Sequence, residues 1–461
     1  MTRTSTRDVR VLPSGVTLVS EVRPDAASAA AGWFVRVGSR DEPAAHAGIS
    51  HALEHLAFKG TDDVDAVELN RRLDALGARS NAYTGEDRTA YYGSVLPEHL
   101  PELNELLAAL LRPALREEDV ALERGVIVEE IAMADDDPES RAADLVAAAA
   151  FGDHPLGRTI LGTRDSVAAL TAADLRAWHA ATYRPDRLVV VLSGRVDLEA
   201  EAQRVDALAR RLTETADARH DRPAATPLPR QVPRSVPTPV PRTAPIWRPG
   251  AARHGDRRLR RAYGALLAPG LPQADPRRIA ATLLAQVLGE PGHGQLHWAL
   301  VDAGLADQAG LLHEAGDGFG TYGGWFETRA RDEARVQERF VRTLREAQDA
   351  PLDPDAWARA ARTAATDVAM QAETPYGRLM ALGDAWIERG ELDDPADEVA
   401  RILATPVEAG QALLDARPFD LSALVTLGPE VEREVEPEAE PGSEVSRADT
   451  PAVRAHPRRV P

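Results

Sequence analysis

The sequence predicts an α+β fold of two homologous domains, each a largely antiparallel sheet packed against helices. Three observations lead there. Strand-like apolar runs come first and helical periodicities follow them, as expected of a sheet whose helices are segregated from its strands. The order recurs: His154-Pro155-Leu156-Gly157-Arg158 is echoed by Thr374-Pro375-Tyr376-Gly377-Arg378, and each is followed by helical segments and a strand ending in glycine, 188–194 and 421–428. Between the halves, residues 213–243 are rich in Pro and Arg and have no apolar periodicity, which reads as a semi-extended linker.

In chain order, strands are expected at 9–12, 16–22 and 30–37, and helical patterns at 64–77, 100–111, 117–134 and 172–181. Residues 81–84 sit between the first of these helices and an apolar run at 89–95, so they read as a strand at the sheet edge. The expected domains are 1–212, a linker at 213–243, 244–428 and a tail at 429–461. In the tail Glu alternates with Val, Pro and Ala, but Pro437, Pro441 and the like charges favour disorder over a strand.

With 461 residues, 44% of them hydrophobic, the chain can bury at least two ordinary cores. It has no cysteine, which excludes disulfides and thiolate metal ligands. Residues 1–10 are polar and lack the apolar core of a secretory signal. No run approaches the ~18–20 apolar residues that span a bilayer, so no membrane partner and a cytoplasmic, bacterial setting are expected. The net charge of −19 argues against nucleic acid, whose phosphates need a basic face.

The chemistry is concentrated in His51-Ala52-Leu53-Glu54-His55. On a helix, residues four apart share a face, so His51 and His55 can reach one metal ion, and Glu54 points to the same side. Glu130, on a second helical segment, offers the carboxylate that would complete three-ligand binding, leaving Glu54 free as a base. Two imidazoles and one carboxylate suit a zinc ion with an open position. Glu123 lies two turns before Glu130 on the same face, placed to orient a ligand or line the site; an ordinary surface glutamate is the alternative in so acidic a helix. The glutamate stands beside the second histidine, the inverzincin order. By itself this order is a weak signal, since the same residues could form a solvated helix face.

Four segments in sequence strengthen it: HALEHLAFKGT from His51, NAYTGEDRTAYY from Asn81, ERGVIVEE from Glu123 and HPLGRTILG from His154. With these the chain resembles the M16 metallopeptidases, the family of pitrilysin, insulysin and the mitochondrial processing peptidase, over roughly residues 9–428 and most strongly before residue 200. It is most similar to the smaller bacterial M16B type. The resemblance implies a LuxS/MPP-like fold, pairing of two-domain chains into a four-domain chamber, and one Zn2+ per chain held by His51, His55 and Glu130, with Glu54 as the base. It implies a peptide substrate aligned as an added strand along Asn81 and Ala82, and a pocket walled by Phe58, although a core aromatic fits that position as well.

Departures from the family pattern lie in the second half. Active relatives present an Arg and a Tyr there to hold the substrate carbonyl, but Leu300 and Asp307 stand at those positions. Leucine donates nothing and a carboxylate repels a developing oxyanion. The resemblance therefore implies a second M16-like subunit supplying the Arg/Tyr pair, in preference to a homodimer. The expected function is a zinc endopeptidase acting on unfolded peptides or leader segments, and its competitor is a catalytically silent assembly subunit. His293, His297 and His313 read as scattered structural or surface histidines, and Arg257, Arg258, Arg260 and Arg261 as a solvated strand edge.

Overall fold

The computed structural model describes residues 5–220 and 242–430. The first half runs β1 (Thr6–Val11), β2 (Thr17–Val22), β3 (Ala29–Val35), α1 (Ile49–Ala57), α2 (Ala66–Ala75), β4 (Arg79–Thr84), β5 (Thr89–Val95), α3 (Leu100–Leu110), α4 (Glu117–Asp136), α5 (Pro138–Phe151), α6 (Arg164–Ala169), α7 (Ala172–Thr182), β6 (Leu188–Gly194) and α8 (Leu198–His220). The second half runs β7 (Gly250–Gly255), β8 (Arg261–Pro269), α9 (Arg278–Gly289), β9 (Gln308–Gly316), β10 (Phe319–Arg329), α10 (Glu333–Gln348), α11 (Pro354–Gln371), α12 (Pro375–Arg389), α13 (Pro395–Ala404), α14 (Val407–Asp415) and β11 (Ala423–Gly428). Helix α8 continues through residues 213–220, which the sequence reading assigned to the linker; the remainder of that linker to 241, and the tail from 431, lie outside the described residues.

The sheets are ordered β1-β2-β6-β3-β5-β4 and β7-β11-β8-β10-β9. Removing β1 makes them superimposable in order and direction, because β2 with β6 and β7 with β11 are the parallel pairs and all other pairs are antiparallel. The helices follow suit: α1, α4 and α5 correspond to α9, α11 and α12. This mapping corrects the repeat read from the sequence. Thr374-Pro375 opens α12, and its counterpart is Asp137-Pro138 at the start of α5, not His154-Pro155, which follows that helix. The physical signature is a shared start. Asp137 accepts from the Ser140 N–H, Thr374 accepts from the Gly377 N–H, and proline at the first turn loses no hydrogen bond.

Helices α5 and α12 are exchanged between the sheets. α12 packs on β6 and β3 of the first half, while α5 packs on β8 and β11 of the second. That exchange explains why β3 and β6 are buried along their whole length and read as continuous apolar runs. Along β3, Ala29, Ala31, Trp33 and Val35 enter the main core with α1 and α3, and Ala30 and Phe34 face Leu379 and Leu382 of α12. Gly32 permits the close approach, since a Cβ there would meet Leu379 at 3.2 Å. The exchange is pinned by the buried Arg378–Glu21 ion pair at 2.5 Å and by Arg88, which reaches Asp384 at 2.7 Å and Glu388 at 2.6 Å.

Leu379 is fully buried against the first-half sheet, so Leu379→Ala should cost about 2–5 kcal/mol and lower a single unfolding transition common to both halves. Calorimetry showing two transitions, with the first half unmoved, would contradict the exchange. A second expectation concerns His313 on β9, whose ring lies 3.0 Å from the Leu271 carbonyl and whose burial lowers its pKa to about 4. The unfolded chain keeps the ordinary value near 6.5, so below that pH the unfolded state takes up the extra proton and stability falls as pH drops toward 4. Between about pH 7 and about pH 4.5 this linkage should remove roughly 2 kcal/mol of stability in urea unfolding, and His313→Asn should abolish that loss.

Candidate metal centre

The site is built on α1, which begins at Gly48 in the left-handed region (φ 88°) with no capping side chain of its own. Glu42, in the preceding loop, supplies the cap. Its Oε2 accepts from the Gly48 N–H at 2.7 Å and its Oε1 from the Ser50 N–H at 2.8 Å. The carboxyl is buried, which pushes its pKa up to about 7, and the two N–H groups oppose that rise. A Cβ on Gly48 would lie 2.5 Å from the Leu161 carbonyl oxygen, and one on Gly162 2.3 Å from that of Ala47, so the ILG end of the HPLGRTILG segment packs backbone to backbone against the start of the helix. Trp178 donates to Ser50 Oγ at 3.2 Å from below.

On α1, His51 and His55 stack edge to face with ring centroids 4.6 Å apart. Helix α4 lies antiparallel to α1, its Ile127 and Ile131 in the core, and this orientation brings Glu123 to the far end of the pair and Glu130 between the rings. Glu130 Oε2 is 3.8 Å from His51 Nε2 and 3.4 Å from His55 Nε2. It is a buried oxygen without a hydrogen-bond partner, and His51 Nδ1 is likewise unpartnered. Bonds of about 2.1 Å to one tetrahedral ion would put ligand atoms about 3.4 Å apart, so these three side chains fit a zinc ion. They are the one such group among the described residues. Burial, then the nearby His55, lowers the His51 pKa to about 4 and keeps its imidazole neutral, as ligation requires.

The neighbouring groups orient the set. His55 Nδ1 donates to Glu123 Oε2 at 3.0 Å, which turns Nε2 toward Glu130, and Lys59 Nζ holds the other Glu123 oxygen at 2.6 Å. Glu54 stands beside the cluster; Thr84 at the end of β4 donates to its Oε2 at 2.5 Å. Burial raises the Glu54 pKa and the Thr84 hydroxyl opposes the rise. Glu42, Lys59 and Thr84 were not singled out in the sequence. For Thr84 the signal was available, because it ends the NAYT strand. For Glu42 it was an acid placed ahead of a helix that opens on glycine with no cap.

Strand β4 is the free edge of its sheet, and Ala82 lines a cleft of about 880 Å³ together with His51 and Glu54. Asn81 is exposed, with its Oδ1 accepting from the Ala82 N–H at 2.9 Å. Phe58 follows α1 as its C-cap and is partly buried against the main core, the core-aromatic alternative, and it is not among the residues lining this cleft. The opposite wall comes from the second-half sheet, including Tyr263, Phe319 and Trp325. Leu300 is buried in the second core, while Asp307 pairs with Arg261. In the basic cluster Arg257 pairs with Glu430, Arg258 with Asp256 and Asp136, and Arg261 with Glu327 as well.

Residues 17–164 match the family model described as insulinase, peptidase family M16, and residues 169–364 match the peptidase M16 inactive domain. The chain belongs to the M16 peptidase family. An uncharacterized zinc protease of Mycobacterium tuberculosis is 46% identical over 187 residues, 40% of this chain and 43% of that protein. One of Streptomyces coelicolor is 39% identical over 279 residues, 60% and 58% of the two chains. The mitochondrial-processing peptidase subunit beta of Saccharomyces cerevisiae is 35% identical over 189 residues, 41% of each. These matches thus span about half, or less, of the relatives' lengths. A Helicobacter pylori protease structure superimposes with a TM-score of 0.80 at 22% identity, covering 92% of this chain and 100% of that one, which establishes the shared fold. Among the described residues no helix is long and apolar enough to cross a membrane.

Removing the Glu42 carboxylate strands two buried N–H groups at the start of the metal-site helix. Glu42→Ala should cost about 1–3 kcal/mol in urea unfolding and weaken zinc retention in a chelator competition. Unchanged retention would mean that α1 holds its first turn without this cap.

Proposed function

We propose that this chain is a zinc-dependent endopeptidase that hydrolyses unfolded peptides or leader segments in the cytoplasm, with residues 1–212 as the metal-binding domain and 244–428 as its counterpart. The observation that carries the reading is the unpartnered Glu130 oxygen facing two imidazole nitrogens, with Glu54 beside them and outside the set. Zinc would be held by His51, His55 and Glu130, and when bound it polarises a carbonyl and acidifies water. The names of the mycobacterial and Streptomyces relatives support that metal.

The remaining work belongs to the chain's own side chains. A peptide adds to β4 as a further strand, recognised through the backbone at Asn81 and Ala82, which places its carbonyl beside Glu54. Glu54 takes a proton from the attacking water and delivers it to the leaving amine. The Thr84 hydroxyl keeps the carboxylate aimed by occupying one oxygen and leaving the other free. Glu123 keeps the His55 ring turned by accepting from Nδ1.

Leu300 and Asp307 cannot hold the developing oxyanion. We therefore read the active assembly as a hetero-oligomer in which a second M16-like subunit brings an Arg and a Tyr, with a homodimer as the weaker choice; a subunit named as beta among the relatives supports this. The same absence favours, as a second reading, a silent assembly subunit.

Glu54→Gln distinguishes the readings. Zinc should stay at one ion per chain while peptide hydrolysis, assayed with the partner subunit present, falls by about 10²–10⁴. Removing the metal with a chelator should abolish hydrolysis, and restoring zinc should recover it. A chain that binds no zinc, or whose hydrolysis survives Glu54→Gln, would sink the peptidase reading; full activity from the isolated chain would sink the two-subunit one.

A further inference from the structure

The duplication leaves a second cavity at the position that matches the metal centre. In the second half α9, α11 and β9 stand where α1, α4 and β4 stand in the first, and between them and the exchanged α12 lies a cavity of about 420 Å³. Its α9 face carries no metal-ligating set. In place of histidines it presents Arg278, Thr282 and Gln286.

Arg278 is only 15% exposed, yet its guanidinium has one loose partner, Glu398 at 3.5 Å, and makes no hydrogen bond among the described residues. Glu398 itself has a nearer partner in Arg401. The two other arginines lining the cavity are already engaged, Arg378 with Glu21 and the Asp393 carbonyl, Arg389 with Asp393. A guanidinium so lightly engaged on the wall of a cavity marks a place for an anion, since Arg forks favour carboxylate geometry. At the other end Gln286 Oε1 is buried with no partner and requires a donor. Ile279, Leu283, Val368 and Ile402 supply apolar walls between them.

Spacing then selects the ligand. Arg278 and Gln286 are eight residues apart on one helix, about 12 Å along its axis, and an extended tripeptide spans about 10–11 Å. A peptide offers a carboxylate at one end, N–H groups along its length and side chains for the apolar wall. We propose that this cavity binds short peptides, with the C-terminal carboxylate on Arg278 and a peptide N–H or terminal amine donated to Gln286 Oε1. This does not rest on the reading of the metal centre.

The test is calorimetric titration of the full chain carrying Glu54→Gln, so that no probe is cut, with Ala-Ala-Leu as the free acid, its C-terminal amide and inorganic phosphate. The free acid should bind at least about tenfold more tightly than the amide, as one charge-assisted hydrogen bond requires. Arg278→Gln should erase that difference, and Gln286→Leu should weaken acid and amide alike. Should Arg278→Gln fail to fold, Arg278→Lys replaces it, retaining the charge but losing the fork and most of the preference. Equal binding of acid and amide, phosphate binding as tightly as the peptide, or a preference that survives at position 278 would each overturn the proposal. Because binding is measured and not hydrolysis, a failure here leaves the peptidase reading standing, and an inert metal centre leaves this one standing.

Discussion

Asp137 is the residue through which the two halves depend on one another. Its N–H closes α4 on the carbonyls of Met133 and Ala134, and its side chain opens α5 by accepting from Ser140. Two helices with different destinations therefore share a single joint. α4 carries Glu123 and Glu130 to the histidine pair, while α5 leaves to bury Ala142, Val146, Ala150 and Phe151 against the second-half sheet. With α12 returning the exchange, the position of the metal-site carboxylate is set by apolar burial in a sheet that contributes no ligand. Close packing transmits such a constraint, because neither helix can slide without opening a void.

The same mutual dependence appears in the polar contacts around the site. Arg242 forks onto Asp41 at 2.8 Å, one residue before the Glu42 cap, and reaches Asp317 in the β9–β10 turn at 2.8 Å. Arg40 lies beside it, bonded to Asp87 in the β4–β5 turn and to the Asp317 carbonyl. Both arms of the cleft, the loop leading into α1 and the turn that ends the free edge strand, are thereby tied to the second half. The buried member of this set, Arg40 with Asp87, contributes little net stability and much geometry, since breaking it leaves a stranded charge.

Much of the site could be read locally. The i, i+4 spacing of His51 and His55 fixes a common face whatever surrounds the helix, and Glu123 and Glu130 share a face of α4 for the same reason. The edge position of β4 followed from its place between a helix and the apolar run at 89–95, and the strands at β3 and β6 were legible as apolar runs. Where the same local pattern serves two ends, the sequence left a choice open or misled. Phe58 is apolar in either a pocket or a core, and Pro-x-Gly-Arg occurs both at the start of a helix and after one, so the repeat was matched to the wrong copy.

By itself, then, the amino-acid order determined most first-half strands and helices, the two-fold α+β plan and the set of side chains able to share one ion. Periodicity, capping and spacing are properties of neighbours in the chain. Only the tertiary structure decided that α4 runs antiparallel to α1, that Glu42 and Thr84 hold the helix and the glutamate beside the candidate metal centre, that α5 and α12 change places, and that Arg278 faces a cavity without a full partner. These are contacts between residues far apart in sequence, selected by how much apolar surface the exchanged helices can bury, and no short-range pattern encodes that quantity.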